Sequence, residues 1–199
     1  MADYQYREHQ GSDATAPLLF VFHGTGGDEN QFFDLGQQLL PDARVVAPRG
    51  NVSEGGALRY FRRTAEGVYD MDDLRLRTGQ MADFVAQRRD ESQPRRVIGL
   101  GYSNGANILA AVQFSQPGLF DQTVLMHPLI PFIPADADFV GRSVLITAGR
   151  RDPIAPASAT QALADYFTRN GAKASLFWHE GGHELRQEEL RETQRFLGR

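Results

Sequence analysis

Short apolar runs alternate along this chain with longer stretches whose apolar residues recur at helical spacing, and that alternation constrains the fold more than any other feature. Leu18-Leu19-Phe20-Val21-Phe22, Val45-Val46-Ala47, Val97-Ile98-Gly99-Leu100, Thr123-Val124-Leu125-Met126, Val144-Leu145-Ile146-Thr147 and Ala174 to Trp178 read as strands. Gln31 to Leu40, Asp73 to Arg88, Asn104 to Ser115, Ser158 to Arg169 and Leu185 to Leu197 read as helices, the first capped by Asn30 or Asp28 and stopped before Pro41. Strands that are apolar throughout suit a sheet buried on both faces, and helices between them supply the crossovers of parallel pairing. The expected fold is therefore α/β, with a mostly parallel central sheet and helices on both faces. Such sheets gather reactive groups at the carboxyl ends of their strands. A length of 199 residues suits a single domain over residues 1–199. Two long segments, Arg49 to Tyr69 and the proline-punctuated His127 to Asp138, read as irregular, either as surface connections or as walls of a pocket.

Composition excludes several classes of function. Net charge is −4, and the densest basic cluster is only Arg59, Arg62 and Arg63 with Glu66 close by, so no nucleic-acid footprint is expected. Cysteine is absent, which removes disulfides, thiolate metal sites and a cysteine nucleophile. The segment from Met1 to Asp13 is polar, and no apolar run reaches the ~20 residues of a membrane span. A cytoplasmic protein with no membrane span is the expectation.

One segment states a chemistry. Gly101-Tyr102-Ser103-Asn104-Gly105 reads G-x-S-x-G, directly behind a strand and ahead of a helix. That order suits a nucleophile elbow, in which the serine stands on a strained turn above the sheet and crowding favours glycine at both flanks. A serine hydroxyl is a poor nucleophile at neutral pH and needs a base in hydrogen-bond reach, with a third group to orient that base.

Five histidines are available. His9 sits in the polar N-terminal segment, His23 ends a strand where it shapes a glycine turn, and His127 ends another strand as core or pocket wall. His179-Glu180-Gly181-Gly182-His183 matches H-E-x-x-H literally and raises a rival reading, a zinc hydrolase using His179 and His183 as ligands. Only a helix puts positions i and i+4 on one face, and two glycines cost that helix about 2 kcal/mol relative to alanine. The segment also follows a strand-like run, so it reads better as a loop whose glycines free His183 to act as base. Asp152 is the orienting acid, since it follows the strand at Val144 by a short turn. The chain order Ser103, Asp152, His183 is that of α/β-hydrolases. Donors for a developing oxyanion are expected at the N–H of Asn104 and, from the glycine-rich loop behind the first long strand, the N–H of Thr25, each worth about 3 kcal/mol.

These segments together resemble a known family. Phe22 to Asn30, Pro48-Arg49-Gly50, Gly99 to Ala106, Ala148 to Ile154 and Gly181-Gly182-His183-Glu184-Leu185 are similar to the phospholipase/carboxylesterase family of α/β-hydrolases, which includes acyl-protein thioesterases and small bacterial carboxylesterases. The resemblance spans nearly the whole chain. It implies the α/β-hydrolase fold, Ser103, Asp152 and His183 as the triad, and Thr25 and Asn104 as oxyanion donors. Thr25-Gly26-Gly27-Asp28 and Tyr102-Ser103-Asn104 depart from the thioesterase pattern towards the bacterial carboxylesterase branch. The expected activity is cleavage of small carboxylic esters through an acyl-enzyme on Ser103, without metal or cofactor. A thioesterase or lysophospholipase on the same triad and a non-catalytic binding protein are the alternatives. Phe61, His127, Leu129 and Phe132 are candidate pocket residues, and a homodimer is compatible with the family.

Overall fold

The computed structural model describes residues 4–198; residues 1–3 and 199, the first of them part of the polar N-terminal segment, lie outside that description. In chain order the elements are β1 (Tyr6–His9), β2 (Leu18–Phe22), α1 (Phe33–Leu39), β3 (Arg44–Pro48), β4 (Val52–Glu54), β5 (Ala57–Arg59), β6 (Arg63–Ala65), β7 (Val68–Tyr69), α2 (Met71–Ser92), β8 (Val97–Tyr102), α3 (Asn104–Ser115), β9 (Gln122–Met126), β10 (Ser143–Gly149), α4 (Ala157–Arg169), β11 (Lys173–His179) and α5 (Gln187–Leu197). The main sheet has seven strands in the order β1-β3-β2-β8-β9-β10-β11. All neighbours are parallel except β1, which pairs antiparallel with β3.

Side chains along the parallel strands alternate between two apolar layers. Leu18, Phe20, Phe22, Leu125, Val144 and Ile146 point into a layer with Leu74, Met81 and Phe84 of α2, Ile108 and Val112 of α3, and Leu163 and Phe167 of α4. Leu19, Val21, Val45, Ile98, Leu100, Val124 and Leu145 join the opposite layer with Phe33 and Leu39 of α1 and Phe196 and Leu197 of α5. Both faces of the sheet are therefore covered, as its uninterrupted apolar strands require. The fold is the α/β-hydrolase fold.

The order of strands creates the place for a site. From β2 the chain turns to β3 on one side, then returns through α2 to β8 on the other side of β2. The loops leaving the carboxyl ends of β2 and β8 thus diverge and open a crevice between them, as expected at a topological switch point.

Three local expectations are corrected. Tyr6-Arg7-Glu8-His9 forms an edge strand although it carries no apolar run, because an edge strand with one solvated face needs only backbone pairing. Arg49 to Tyr69 is not irregular throughout: it holds two β-hairpins, β4–β5 across Gly55-Gly56 and β6–β7 across Glu66-Gly67. Gly55 and Gly56 both have positive φ, 58° and 91°, the requirement of a two-residue type I′ turn. Finally, α1 begins two residues later than its pattern suggests, after Phe32 and without a side-chain cap. Asp28 instead accepts the Asn30 N–H at 2.9 Å in a local turn, which is the competing use of such side chains.

Candidate active site

Ser103 stands at the junction of β8 and α3 with φ 53° and ψ −117°, a conformation that L-residues adopt at a cost of about 1–3 kcal/mol. Two backbone hydrogen bonds hold it there: the Ser103 N–H donates to Met126 O on β9, and Asn107 N–H donates to Ser103 O, both at 2.9 Å. The flanking glycines are required by space. A Cβ on Gly101 would lie 2.5 Å from Gly105 O, and one on Gly105 would overlap Phe22 O and lie 2.5 Å from His23 O. These obstacles are backbone and cannot rotate away. Gly105→Ala is therefore expected to lower stability by about 3 kcal/mol or more, read as a shifted urea midpoint at unchanged slope.

The proposed base and acid arrive from the next strands of the sheet. Asp152 follows β10 and His183 follows β11, so residues distant in sequence meet over adjacent carboxyl ends. His183 Nε2 lies 2.9 Å from Ser103 Oγ, and His183 Nδ1 lies 2.7 Å from Asp152 Oδ2. The Asp152 side chain is fully buried, while that of His183 is 17% exposed towards the crevice. Asp152 Oδ1 accepts the N–H groups of Ile154 and Ala155 at 2.8 and 3.0 Å. Burial by itself would raise its carboxyl pKa; the Ala155 amide and the His127 and His183 rings outweigh that and hold it below the ordinary value. Tyr102 OH donates to His183 O at 2.7 Å, which ties the loop bearing the base to the elbow.

Thr25 and Asn104 both line the cavity beside Ser103. Among the described residues neither backbone N–H has a hydrogen-bond acceptor, which leaves both free for a developing oxyanion. The Asn104 side chain does something different, because its Oδ1 accepts the Tyr60 N–H at 2.8 Å. Tyr60 OH in turn donates to Pro48 O at 2.8 Å and accepts the His23 N–H at 3.1 Å, shaping the glycine loop. His23 is buried, receives Gly50 N–H on Nε2 at 2.8 Å and donates from Nδ1 to Gly24 O at 2.7 Å. Burial lowers its pKa, so it is a neutral structural histidine of the loop.

The cavity at Ser103 has a volume of about 290 Å³. His127 and Leu129 lie on its wall, together with Arg59, Glu66, Tyr69, Asn107 and Ile154, which sequence reasoning missed. Phe61 and Phe132 are placed elsewhere. Phe61 is fully buried behind the wall with its ring centroid 4.8 Å from that of Tyr69, and Phe132 faces a separate groove with Ile133 and Leu163. The wall is stitched across three elements: Asn107 Nδ2 donates to Tyr69 OH at 2.8 Å, Tyr69 OH donates to Leu129 O at 2.6 Å, and Asn107 Oδ1 accepts Leu129 N–H at 2.7 Å. Arg59 is 3% exposed; it donates to Thr25 Oγ1 at 2.8 Å and to Phe61 O at 3.2 Å. The signal for Arg59, Glu66 and Tyr69 was the arginine and glycine content of Arg49 to Tyr69, whereas Asn107 and Ile154 lie outside that segment and carried none.

The segment His179 to His183 does not form the helix that the zinc reading needs: β11 ends at His179 and α5 begins at Gln187. Glu180 points outward and pairs with Arg150 at 3.1 Å. His179 Nδ1 accepts the Gly181 N–H at 2.9 Å, so its proton sits on Nε2, where a zinc ion would have to bind. That proton is directed at Glu189 Oε2, 3.2 Å away. His179 and His183 therefore do not share the helix face that the H-E-x-x-H motif needs.

Known proteins share this architecture. The chain is 38% identical over 179 residues to a putative hydrolase, MhqD, of Bacillus subtilis (strain 168), covering 88% of this chain and 90% of that one. A crystal structure of a protein of unknown function from Agrobacterium tumefaciens str. C58 superimposes with a TM-score of 0.95 at 54% identity, over 98% of this chain and 96% of the other. The carboxylesterase of Bacillus cereus superimposes with a TM-score of 0.94 at 34% identity, over 99% and 94%. Residues 61–191, which include Ser103, Asp152 and His183, match the family model of the dienelactone hydrolases. With two-thirds of its length matched and its fold shared with a carboxylesterase, the chain belongs to the dienelactone hydrolase family.

Proposed function

We propose that this hydrolase is a serine carboxylesterase acting on small carboxylic esters in the cytoplasm, as one domain over residues 1–199 and without metal or cofactor. The observation that carries the reading is the unbroken line from Ser103 Oγ through His183 to Asp152, with contacts of 2.9 and 2.7 Å. His183 Nε2 takes the hydroxyl proton as Ser103 Oγ attacks the ester carbonyl. The carbonyl oxygen becomes an oxyanion held by the N–H groups of Thr25 and Asn104. His183 then returns the proton to the leaving alcohol oxygen, and the acyl group stays on Ser103. Water, deprotonated by the same nitrogen, attacks the acyl carbonyl; the acid leaves and Ser103 recovers its proton. Asp152 keeps the His183 proton on Nδ1 and stabilises the imidazolium formed in each half.

The cavity supports small substrates over long-chain ones. A volume of about 290 Å³ with Arg59 and Glu66 on its wall holds a short acyl or alcohol group, whereas a lysophospholipid chain would bury apolar methylenes against charge. A fluorophosphonate probe is expected to label Ser103, and kcat/KM is expected to fall from p-nitrophenyl acetate to p-nitrophenyl decanoate. A folded protein that takes no label is a binding protein, and faster turnover of the long ester or of acyl thioesters points to the thioesterase reading.

A further inference from the structure

Asp152 does not end the line of contacts. Its Oδ2, already 2.7 Å from His183 Nδ1, also lies 2.9 Å from Nδ1 of His127, and His127 Nε2 lies 3.0 Å from Glu189 Oε1. Both side chains of this second pair are fully buried. A neutral imidazole has one N–H and can donate to only one of two carboxylates. The second proton must therefore lie on His127 or on one of the carboxylates, and the His183 ring with two backbone N–H groups directed at Asp152 keeps that carboxylate ionised, which leaves His127 or Glu189. Three donors converge on Glu189: His127, the Arg186 N–H at 2.8 Å and the Nε2–H of His179 at 3.2 Å. It also occupies the first turn of α5, where the helix dipole favours an anion. Burial opposes charge on both partners, yet their mutual contact raises the His127 pKa and lowers that of Glu189. His127 also holds a strained φ of 52° just past β9, where its ring lies between the two carboxylates.

We propose that His127 is a permanent buried imidazolium bridging Asp152 and Glu189, and that this pair acts as two positioning residues that hold Asp152 on His183. The proposal rests on the triad reading above. The groups facing His127 are Asp152 behind β10, His183 and His179 around the end of β11, Glu189 on α5, and the Tyr102 ring at 5.8 Å behind β8. The His127 cation lies against the same oxygen that His183 uses, so it partly offsets the carboxylate as seen by His183. Removing it makes proton uptake by the base easier, whether Glu189 then stays ionised or takes a proton.

The test has two arms. In 15N-histidine protein at about pH 7.5, one ring is expected to keep both N–H groups, identified as His127 by its loss in His127→Gln. In His127→Gln, kcat is expected to fall about tenfold with KM within about twofold, and the acid limb of kcat/KM to move up by about half a pH unit or more. A wild-type spectrum in which no ring keeps both N–H groups overturns the proposal whether or not the variant folds. So does a folded variant with the wild-type kcat and pH profile. Absence of fluorophosphonate label on Ser103 would instead sink the triad reading, and the nitrogen spectra are independent of it.

Discussion

Ser103→Ala is expected to lower kcat/KM for p-nitrophenyl acetate by about four to six orders of magnitude while leaving the protein folded. The change removes one atom, the Oγ whose hydrogen-bond partner among the described residues is the partly exposed His183, so no fully buried group loses its partner. The amides of Thr25 and Asn104, the proposed oxyanion donors, remain in place and are expected to account for whatever turnover survives. Stability is expected to stay within about 0.5 kcal/mol, because alanine inherits the same φ of 53° and gains nothing from it. Ser103→Gly separates strain from chemistry. It is equally inactive, yet relief of a positive φ, worth about 1–3 kcal/mol, exceeds the extra entropy glycine brings to the unfolded chain. Its melting point should therefore equal or exceed that of Ser103→Ala. Turnover by Ser103→Ala above about one part in a hundred would place the nucleophile elsewhere.

Asp152→Asn is expected to damage both activity and stability. The carboxylate accepts from four N–H groups, two histidine rings on Oδ2 and two backbone amides on Oδ1. An asparagine must turn its own N–H2 towards one of those pairs of donors, whichever way its amide is flipped. If it faces the backbone amides, two buried donors lose their acceptor. If it faces the rings, His183 loses the group that keeps its proton on Nδ1, and Nε2 is no longer free to take the Ser103 proton. We expect kcat to fall by about four orders of magnitude and stability to fall by about 3–5 kcal/mol, as for one partner removed from a buried charged network. Steady-state turnover and a urea melt on the same sample check both numbers. Wild-type stability in Asp152→Asn would contradict the four-donor arrangement.

Much of the site was legible because its residues are announced locally. The elbow needs glycine at 101 and 105 within one strand-turn-helix, and Asp152 and His183 each follow an apolar run by a short loop. Rejecting H-E-x-x-H as a zinc motif also needed only local reasoning, since paired glycines and a preceding strand argue against a helix. The edge strand β1 was not legible, because pairing through the backbone leaves no apolar trace in Tyr6-Arg7-Glu8-His9. The hairpin at Gly55-Gly56 did carry a turn signal, but its three-residue strands are too short to show alternation. Phe61 and Phe132 lie in the two segments that could wall a pocket, but neither segment nor residue type tells which side of a wall an aromatic ring takes.

The sequence by itself determined the layered sheet and the strained turn at Ser103, because each follows from periodicity or from steric demands among near neighbours, and it placed the proposed nucleophile, acid and base each behind its own strand. Tertiary structure alone decided what stands behind the acid. Ser103, His127 and Asp152 follow β8, β9 and β10, His179 ends the neighbouring β11, and Glu189 reaches His127 and His179 from α5. Their contacts join residues as many as 62 positions apart, and no local pattern encodes which buried histidine will lie between two carboxylates. That choice depends on strand register and burial, where a charge survives only beside its opposite.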